Sequence, residues 1–336
     1  MSWKPGAFVS VAVSHQQVEA HEPVSRADSI ALISRIRDDV DARLAVLLPD
    51  EGRAPSRLHA AMRYSVLSPG KRLRPVITAL VARQCGGNMQ AALDAGCAVE
   101  MVHAASLVID DLPAMDDAEL RRARPTTHRT YGEATGILAA ISVMNLAYDS
   151  VARLEGVSAS NRARLITLFA DAIGPEGLAG GQEYDVNGAA GASEADIESV
   201  NRRKTGALFS LAAQAGACMT PELHDPGDAA HEARLGYLAQ FGNHLGLAFQ
   251  TLDDIMDATG TTLTGKDRDQ DGGKPTIARV EGLEAAHATV KAHVNHALAA
   301  LEAGIGEAPH MRALAGAVFD TALQGAPSKG YVPDQA

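Results

Sequence analysis

Apolar residues recur at three- and four-residue intervals along most of this chain, the spacing that lines one face of an α-helix. From Ser29 to Leu48, Ile30, Ile33, Ile36, Val40, Leu44 and Leu47 hold that register until Pro49. A second helix is predicted from Leu58 to Leu67 and stops at Ser68-Pro69-Gly70, residues that favour a turn. Pro75 suits the first turn of a third helix, where its missing N–H goes unused, and Gly86-Gly87 closes it. From Met89 to Asp111 nearly every face is apolar or small, which predicts a central helix. That stretch has the length of a membrane span, but Asp94, Glu100, His103 and the terminal Asp110-Asp111 argue against one. Further helices are predicted over 133–155, 161–174, 194–218, 228–257 and 283–304, joined by polar or glycine-rich connections. No strand-like alternation, internal repeat or long linker is visible. The pattern predicts one all-α domain from 26 to 325, between a mobile tail over 1–25 and a short tail over 326–336.

Composition agrees with helices. Of 336 residues 46 % are hydrophobic, enough for a sizeable core, and only 4 % are aromatic. A sandwich or barrel draws more on aromatic and β-branched residues, whereas abundant alanine favours helix. A formal charge of −11 argues against nucleic acid as a partner. The basic residues are nonetheless clustered: Lys71, Arg72 and Arg74; Arg121, Arg122, Arg124 and Arg129; Arg202, Arg203 and Lys204. Such clusters in an acidic protein point to a small anionic ligand, against the plainer reading of solvated helix faces. Cys85, Cys97 and Cys218 are widely spaced and form no CxxC. Neither a disulfide framework nor a zinc site is indicated, and a reducing, cytoplasmic setting is expected. Ala7 to Val13 is short for a signal peptide, and no integral membrane segment is expected.

The strongest chemical signal is a pair of aspartate clusters. Asp110-Asp111-Leu112-Pro113-Ala114-Met115-Asp116-Asp117 and Asp253-Asp254-Ile255-Met256-Asp257 each end a long apolar helix. Gln250, Asp253, Asp254 and Asp257 share a helical face, as do His103, Ser106 or Leu107, and Asp110. Pro113 breaks the first helix, so a short loop can return Asp116 beside Asp110. Packed carboxylates repel one another, and burial raises the cost. They persist together when divalent cations neutralise them, and an oxygen-only donor set favours Mg²⁺ over zinc. A calcium loop starting at Asp267 is rejected, because its twelfth position is Ala278 and Lys274 falls inside it.

Cations lie near both clusters. In Gly70-Lys71-Arg72-Leu73-Arg74-Pro75 the glycine permits close backbone approach, and the lysine and arginines suit a diphosphate. Arg121-Arg122 follows the first cluster, and Lys266 and Lys274 follow the second. Lys204-Thr205 lies within a predicted helix. His103, two turns before Asp110, is as well read as a ligand contact as a core histidine.

These motifs, in this order, resemble the trans-isoprenyl diphosphate synthase family over about residues 60 to 280. They are GKRLRP (70–75), HAASLVIDDLPAMDDAELRRARPTTH (103–128), GGQEYD (180–185), KT (204–205), QTLDDIMD (250–257) and GK…GK (265–274). The longer first aspartate motif resembles the bacterial geranylgeranyl diphosphate synthases of carotenoid pathways. The resemblance implies the all-α isoprenoid synthase bundle with a central cavity, three Mg²⁺ per site, and a homodimer. It implies that Asp110, Asp116 and Asp253 ligate Mg²⁺ directly, supported by Asp111, Asp254 and Asp257. Arg121, Lys204, Lys266 and Lys274 would hold the allylic diphosphate; Lys71, Arg74, His103 and Arg122 would hold isopentenyl diphosphate. Lys204, Thr205 and Gln250 would serve catalysis, Thr205 and Gln250 flanking the developing carbocation, with Gln182 and Asp185 lining the cavity. Ala105 and Ser106 would set chain length, a small residue at 105 matching makers of C20 rather than C15 chains. This sequence departs from many relatives at Ala123, where they carry glycine, and at Ala140-Ile141, where they carry Gly-Asp. The segment between Lys266 and Lys274 is also short.

The implied reaction is head-to-tail prenyl transfer, with geranylgeranyl diphosphate as product and farnesyl diphosphate as the alternative. A terpene cyclase would share the fold and the first aspartate motif, but not the second motif or a separate set for isopentenyl diphosphate. A non-catalytic partner subunit would be expected to have lost an aspartate cluster, and both are intact.

Overall fold

The computed structural model of the protein describes residues 24–188, 193–220, 229–259 and 276–323. In chain order the helices are α1 (Arg26–Leu47), α2 (Ser56–Val66), α3 (Leu73–Gln84) and α4 (Met89–Asp110). A hairpin of β1 (Leu120–Arg121) and β2 (Arg124–Pro125) precedes α5 (Thr127–Tyr131), α6 (Glu133–Ala152), α7 (Ala159–Ile173) and α8 (Leu178–Asn187). Then α9 (Glu194–Asn201), a π-helical turn (Arg202–Gly206) and α10 (Ala207–Ala217) follow one another without a break. The described residues close with α11 (Ala229–Ala258), α12 (Ile277–Val280), α13 (Leu283–Ile305) and α14 (Pro309–Leu323).

Local chemistry starts these helices where polar residues stand. The side chains of Ser25, Asn88, Ser158 and Ser193 accept N–H bonds from the first turns of α1, α4, α7 and α9, each cap worth about 1 kcal/mol. Tertiary packing supplies the rest. Helix α4, rich in alanine, is buried on nearly all sides by α1, α2, α3, α6 and α10. Small side chains there let neighbouring backbones approach closely. A second layer joins α10, α11 and α13. The core is continuous between them, with Phe169, Phe209, Phe241 and Phe319 sealed inside.

By length and hydropathy alone, α4 and α6 would each cross a bilayer. Two-thirds of the apolar window of α4 is inside the protein, against one-third for α6. Ile137, Leu138 and Ile141 stand exposed on α6.

The predicted helices all form, with ends shifted by a few residues. The long helix over 194–218 is interrupted by the π turn. Helices α5, α8, α12 and α14 and the hairpin of two-residue strands were not predicted, while the all-α class holds. The hairpin is too short to show alternation, and the glycines of 180–185 read as a break rather than as helix α8. Lys266, Lys274 and the rejected calcium loop from Asp267 onward fall largely outside the described residues, as do most of both tails.

Candidate active site

The first aspartate cluster is folded back on itself as its proline requires. Helix α4 stops at Asp110, and the Asp116 N–H donates to the Asp110 carbonyl at 3.0 Å. The loop closes further through the Ala118 N–H and the Asp111 carbonyl at 3.2 Å. The hairpin then returns Arg121 to the helix end. Its Nε donates to Asp111 Oδ1 at 2.9 Å, and its Nη2 lies 3.7 Å from Asp110 Oδ2. Burial alone would lower the pKa of this guanidinium, but Asp111, Asp110 and Asp116 outweigh it and hold the group firmly charged.

Across from α4, the π turn carries Lys204. Its Nζ donates to Asp185 at 2.7 Å and to Asp110 Oδ1 at 3.2 Å, while Gln182 Nε2 reaches the same Asp110 oxygen at 2.7 Å. Helix α8, which brings Gln182 and Asp185, lies directly against the turn. A Cβ on Gly181 would stand 2.6 Å from the Lys204 backbone nitrogen, so only glycine allows this approach. The sequence pattern places these glycines in a glycine-rich connection between helices rather than on the packing surface of a helix.

The next residue of the turn serves the other cluster. Thr205 Oγ1 donates to Gln250 Oε1 at 3.1 Å, and Gln250 Nε2 donates to Asp254 Oδ1 at 3.1 Å. Asp254 is buried, Asp253 half-buried and Asp257 exposed at the end of α11. Two adjacent residues of one turn therefore connect both aspartate clusters. The donors are carboxylate oxygens with no cysteine or histidine among them, which suits a hard cation such as Mg²⁺.

A third group gathers beside these. Lys71 Nζ sits 5.4 Å from the Phe249 ring; burial lowers its pKa and Asp253 partly restores it. The Arg74 guanidinium stacks 4.5 Å from the Phe209 ring centre, and burial pushes its pKa down to about 10. Arg74 Nε is buried with no hydrogen-bond acceptor among the described residues, an arrangement that suits an incoming anion. His103 is held neutral, first by burial and then by Arg74, Arg122 and Arg121. Arg122 Nη1 donates to the Pro69 and Ser68 carbonyls at 2.7 and 3.2 Å. A pocket opens here between His103, Asp111, Arg121 and Arg122.

Several basic residues from the sequence clusters are structural. Arg72 is 4 % exposed, and donates to Asp41 at 2.7 Å and to Glu100 at 2.9 Å, clamping α1 to α4. Glu100, only 3 % exposed, had no assigned role; an acid within so apolar a helix was its signal. Arg124 stacks on Tyr64, while Arg129 and Arg203 pair with Glu119 and Glu176. Ser106 shares the half-buried stripe of α4 with His103 and Leu107, its Oγ donating to the His103 carbonyl at 2.8 Å. Ala105 has no exposure and lies within the core.

Comparison with known proteins gives a consistent result. The family model for polyprenyl synthetase matches residues 55–311. The chain is 42 % identical to a geranylgeranyl diphosphate synthase of Pantoea ananas, over 76 % of this chain and 82 % of the relative. It is 36 % identical to a farnesyl diphosphate synthase of Geobacillus stearothermophilus, over 72 % and 81 %. The crystal structure of an FPP/GFPP synthase from Zymomonas mobilis superposes with a TM-score of 0.76 at 30 % identity, covering 88 % of this chain and all of the other.

Proposed function

The chain belongs to the polyprenyl synthetase family, and on that premise we propose that it condenses isopentenyl diphosphate with allylic diphosphates to make geranylgeranyl diphosphate. The observation that carries this reading is the link from Asp110 through Lys204 and Thr205 to Gln250 and Asp254. It joins two carboxylate clusters around one space, as a reaction between two diphosphates needs.

Asp110, Asp111 and Asp116 on one side, with Asp253, Asp254 and Asp257 on the other, would hold Mg²⁺. When bound, Mg²⁺ supplies neutralisation of the charge that gathers on a departing diphosphate. Arg121 and Lys204 orient the allylic diphosphate from the protein side. Arg74, whose Nε finds no acceptor among the described residues, joins Lys71, His103 and Arg122 around the diphosphate of isopentenyl diphosphate. Neutral His103 can donate a hydrogen bond there without adding charge. The Thr205 hydroxyl and the Gln250 amide present fixed dipoles where the allylic cation develops. The apolar helices around them exclude water, which would otherwise capture that cation. Attack by the isopentenyl double bond forms the new carbon–carbon bond, and a proton leaves to the released diphosphate.

The exposed apolar residues of α6 support the family's homodimer, with that face as the contact. The second reading, a farnesyl diphosphate synthase, draws on the relatives of both kinds. The test is incubation of the purified chain with Mg²⁺, isopentenyl diphosphate and dimethylallyl, geranyl or farnesyl diphosphate, with products separated by length. C20 product from all three is expected. A cyclised hydrocarbon would indicate a cyclase, and no condensation at all would leave a non-catalytic subunit.

A further inference from the structure

Three histidines outside the aspartate site meet where α9, α11 and α13 pack. His244 lies on α11, with His293 and His296 one turn apart on α13, and one ring nitrogen from each falls within 4.8 Å of the other two. His293 is buried, His244 half-buried and His296 exposed. The Nδ1 atoms of His244 and His293 are 3.0 Å apart. On its other side, His293 Nε2 lies 3.3 Å from Glu198 Oε1 on α9. An ionised carboxylate only accepts, so Nε2 carries the proton and Nδ1 of the neutral ring keeps its lone pair. That lone pair faces His244. Two ring nitrogens this close must share either a proton or a cation.

A carboxylate that fixes a histidine tautomer, and so turns the bare nitrogen toward other imidazoles, is the usual outer support of a histidine-bound metal. We propose that His244, His293 and His296 bind a divalent transition-metal ion of the zinc class, separate from the Mg²⁺ site and supported by Glu198. Imidazole nitrogens suit zinc, nickel or copper rather than magnesium, and three protein ligands leave a position for water. Burial lowers the pKa of both His244 and His293, which keeps their rings unprotonated for ligation. Arg202 Nη2 lies 3.9 Å from the other carboxylate oxygen of Glu198. An ion here would tie α13 to two elements of the catalytic space. Glu198 precedes the π turn by one helical turn, and His244 lies on the helix that carries Gln250 and Asp253.

The test uses untagged full-length protein in excess Mg²⁺, which occupies the aspartates, with Co²⁺ as probe. One equivalent should give the visible bands of imidazole-ligated Co²⁺, and Zn²⁺ should displace them. His296→Ala, at an exposed position, should abolish the spectrum. Glu198→Gln should weaken Co²⁺ binding about 10- to 100-fold, with circular dichroism checking that both variants fold. Asp253→Ala should leave the spectrum intact. Absence of the bands in the wild type, their survival in both His296→Ala and Glu198→Gln, or their loss in Asp253→Ala would each overturn the proposal.

Discussion

Replacing Gly70 with alanine tests how the two substrates are sorted. Gly70 is not among the glycines with left-handed backbone, so alanine fits its conformation. The conflict is with one side chain. A Cβ at this position would stand 2.7 Å from Arg122 Nη1, 3.1 Å from Cζ and 3.2 Å from Nη2. The guanidinium must therefore retreat by about 0.7 Å to reach ordinary contact. It is the far end of a flexible chain, so the fold should survive. Its bonds to the Pro69 and Ser68 carbonyls, at 2.7 and 3.2 Å, will be stretched or lost, and its aim will change. If Arg122 holds isopentenyl diphosphate, the displacement removes one charge-assisted hydrogen bond, worth about 1.5–3 kcal/mol. That is about 10- to 150-fold in kcat/KM for this substrate. Steady-state kinetics with each substrate varied in turn, at saturating Mg²⁺, measure it. The KM for isopentenyl diphosphate should rise while that for the allylic diphosphate barely moves. An unchanged isopentenyl KM, or an equal rise for the allylic substrate, would refute the assignment of Arg122.

Glu100→Ala should cost about 3–5 kcal/mol in urea unfolding, because it removes the one buried carboxylate of Arg72 and leaves it the exposed Asp41 and the Ser68 carbonyl at 2.9 Å; a loss under 1 kcal/mol would mean that those two suffice. Ala123→Gly should stabilise the protein by up to about 1 kcal/mol, since Ala123 holds φ 58° in the hairpin turn, where L-residues are strained; thermal unfolding reads this, and a drop in Tm would count against it. Ser106→Phe, on the half-buried stripe of α4, should shift product toward C15. Ala105→Phe should first cost about 1–3 kcal/mol by overpacking, and chain-length analysis of both variants decides which position forms the floor. Lys204→Met and Thr205→Val should each cut kcat, and their double variant should cost less than the sum by about 0.5–3 kcal/mol; strict additivity would mean that the two aspartate clusters work independently.

Much of this was legible in the sequence because it depends on local spacing. The apolar run from Met89 to Asp111, with Asp94, Glu100 and His103 set within it, pointed to a central helix, and Pro113 allowed a short loop to return Asp116 beside Asp110. The order of motifs identified the candidate site before any contact was known. What escaped was decided by tertiary neighbours. Arg72 and Arg74 are two residues apart and alike in charge. Yet one is tied to Asp41 and Glu100, while the other keeps a buried Nε with no acceptor among the described residues. No one-dimensional pattern separates them, since the partners come from helices 31 and 28 residues away in sequence from Arg72. The same holds for the glycines before Gln182, whose meaning is the backbone of Lys204 pressed against them.

The π turn is the sharpest case, because its role follows from geometry that the sequence hides. Adjacent residues of a helix point about 100° apart. Lys204 and Thr205 can therefore face different neighbours only if their segment runs between those neighbours. It does: α8 and α11 both pack against the turn, Lys204 reaching Asp185 on α8 and Thr205 reaching Gln250 on α11. One side chain then reaches Asp110 and the other reaches Gln250. A wider turn also frees the backbone from strict α register, a departure frequent at functional sites. Here it lets α9 and α10 keep their own apolar faces inward while the residues between them serve the cavity. The apolar period of 194–218 is consistent with one continuous helix. The interruption at 202–206 is set by what the segment must touch, which the apolar pattern alone does not encode.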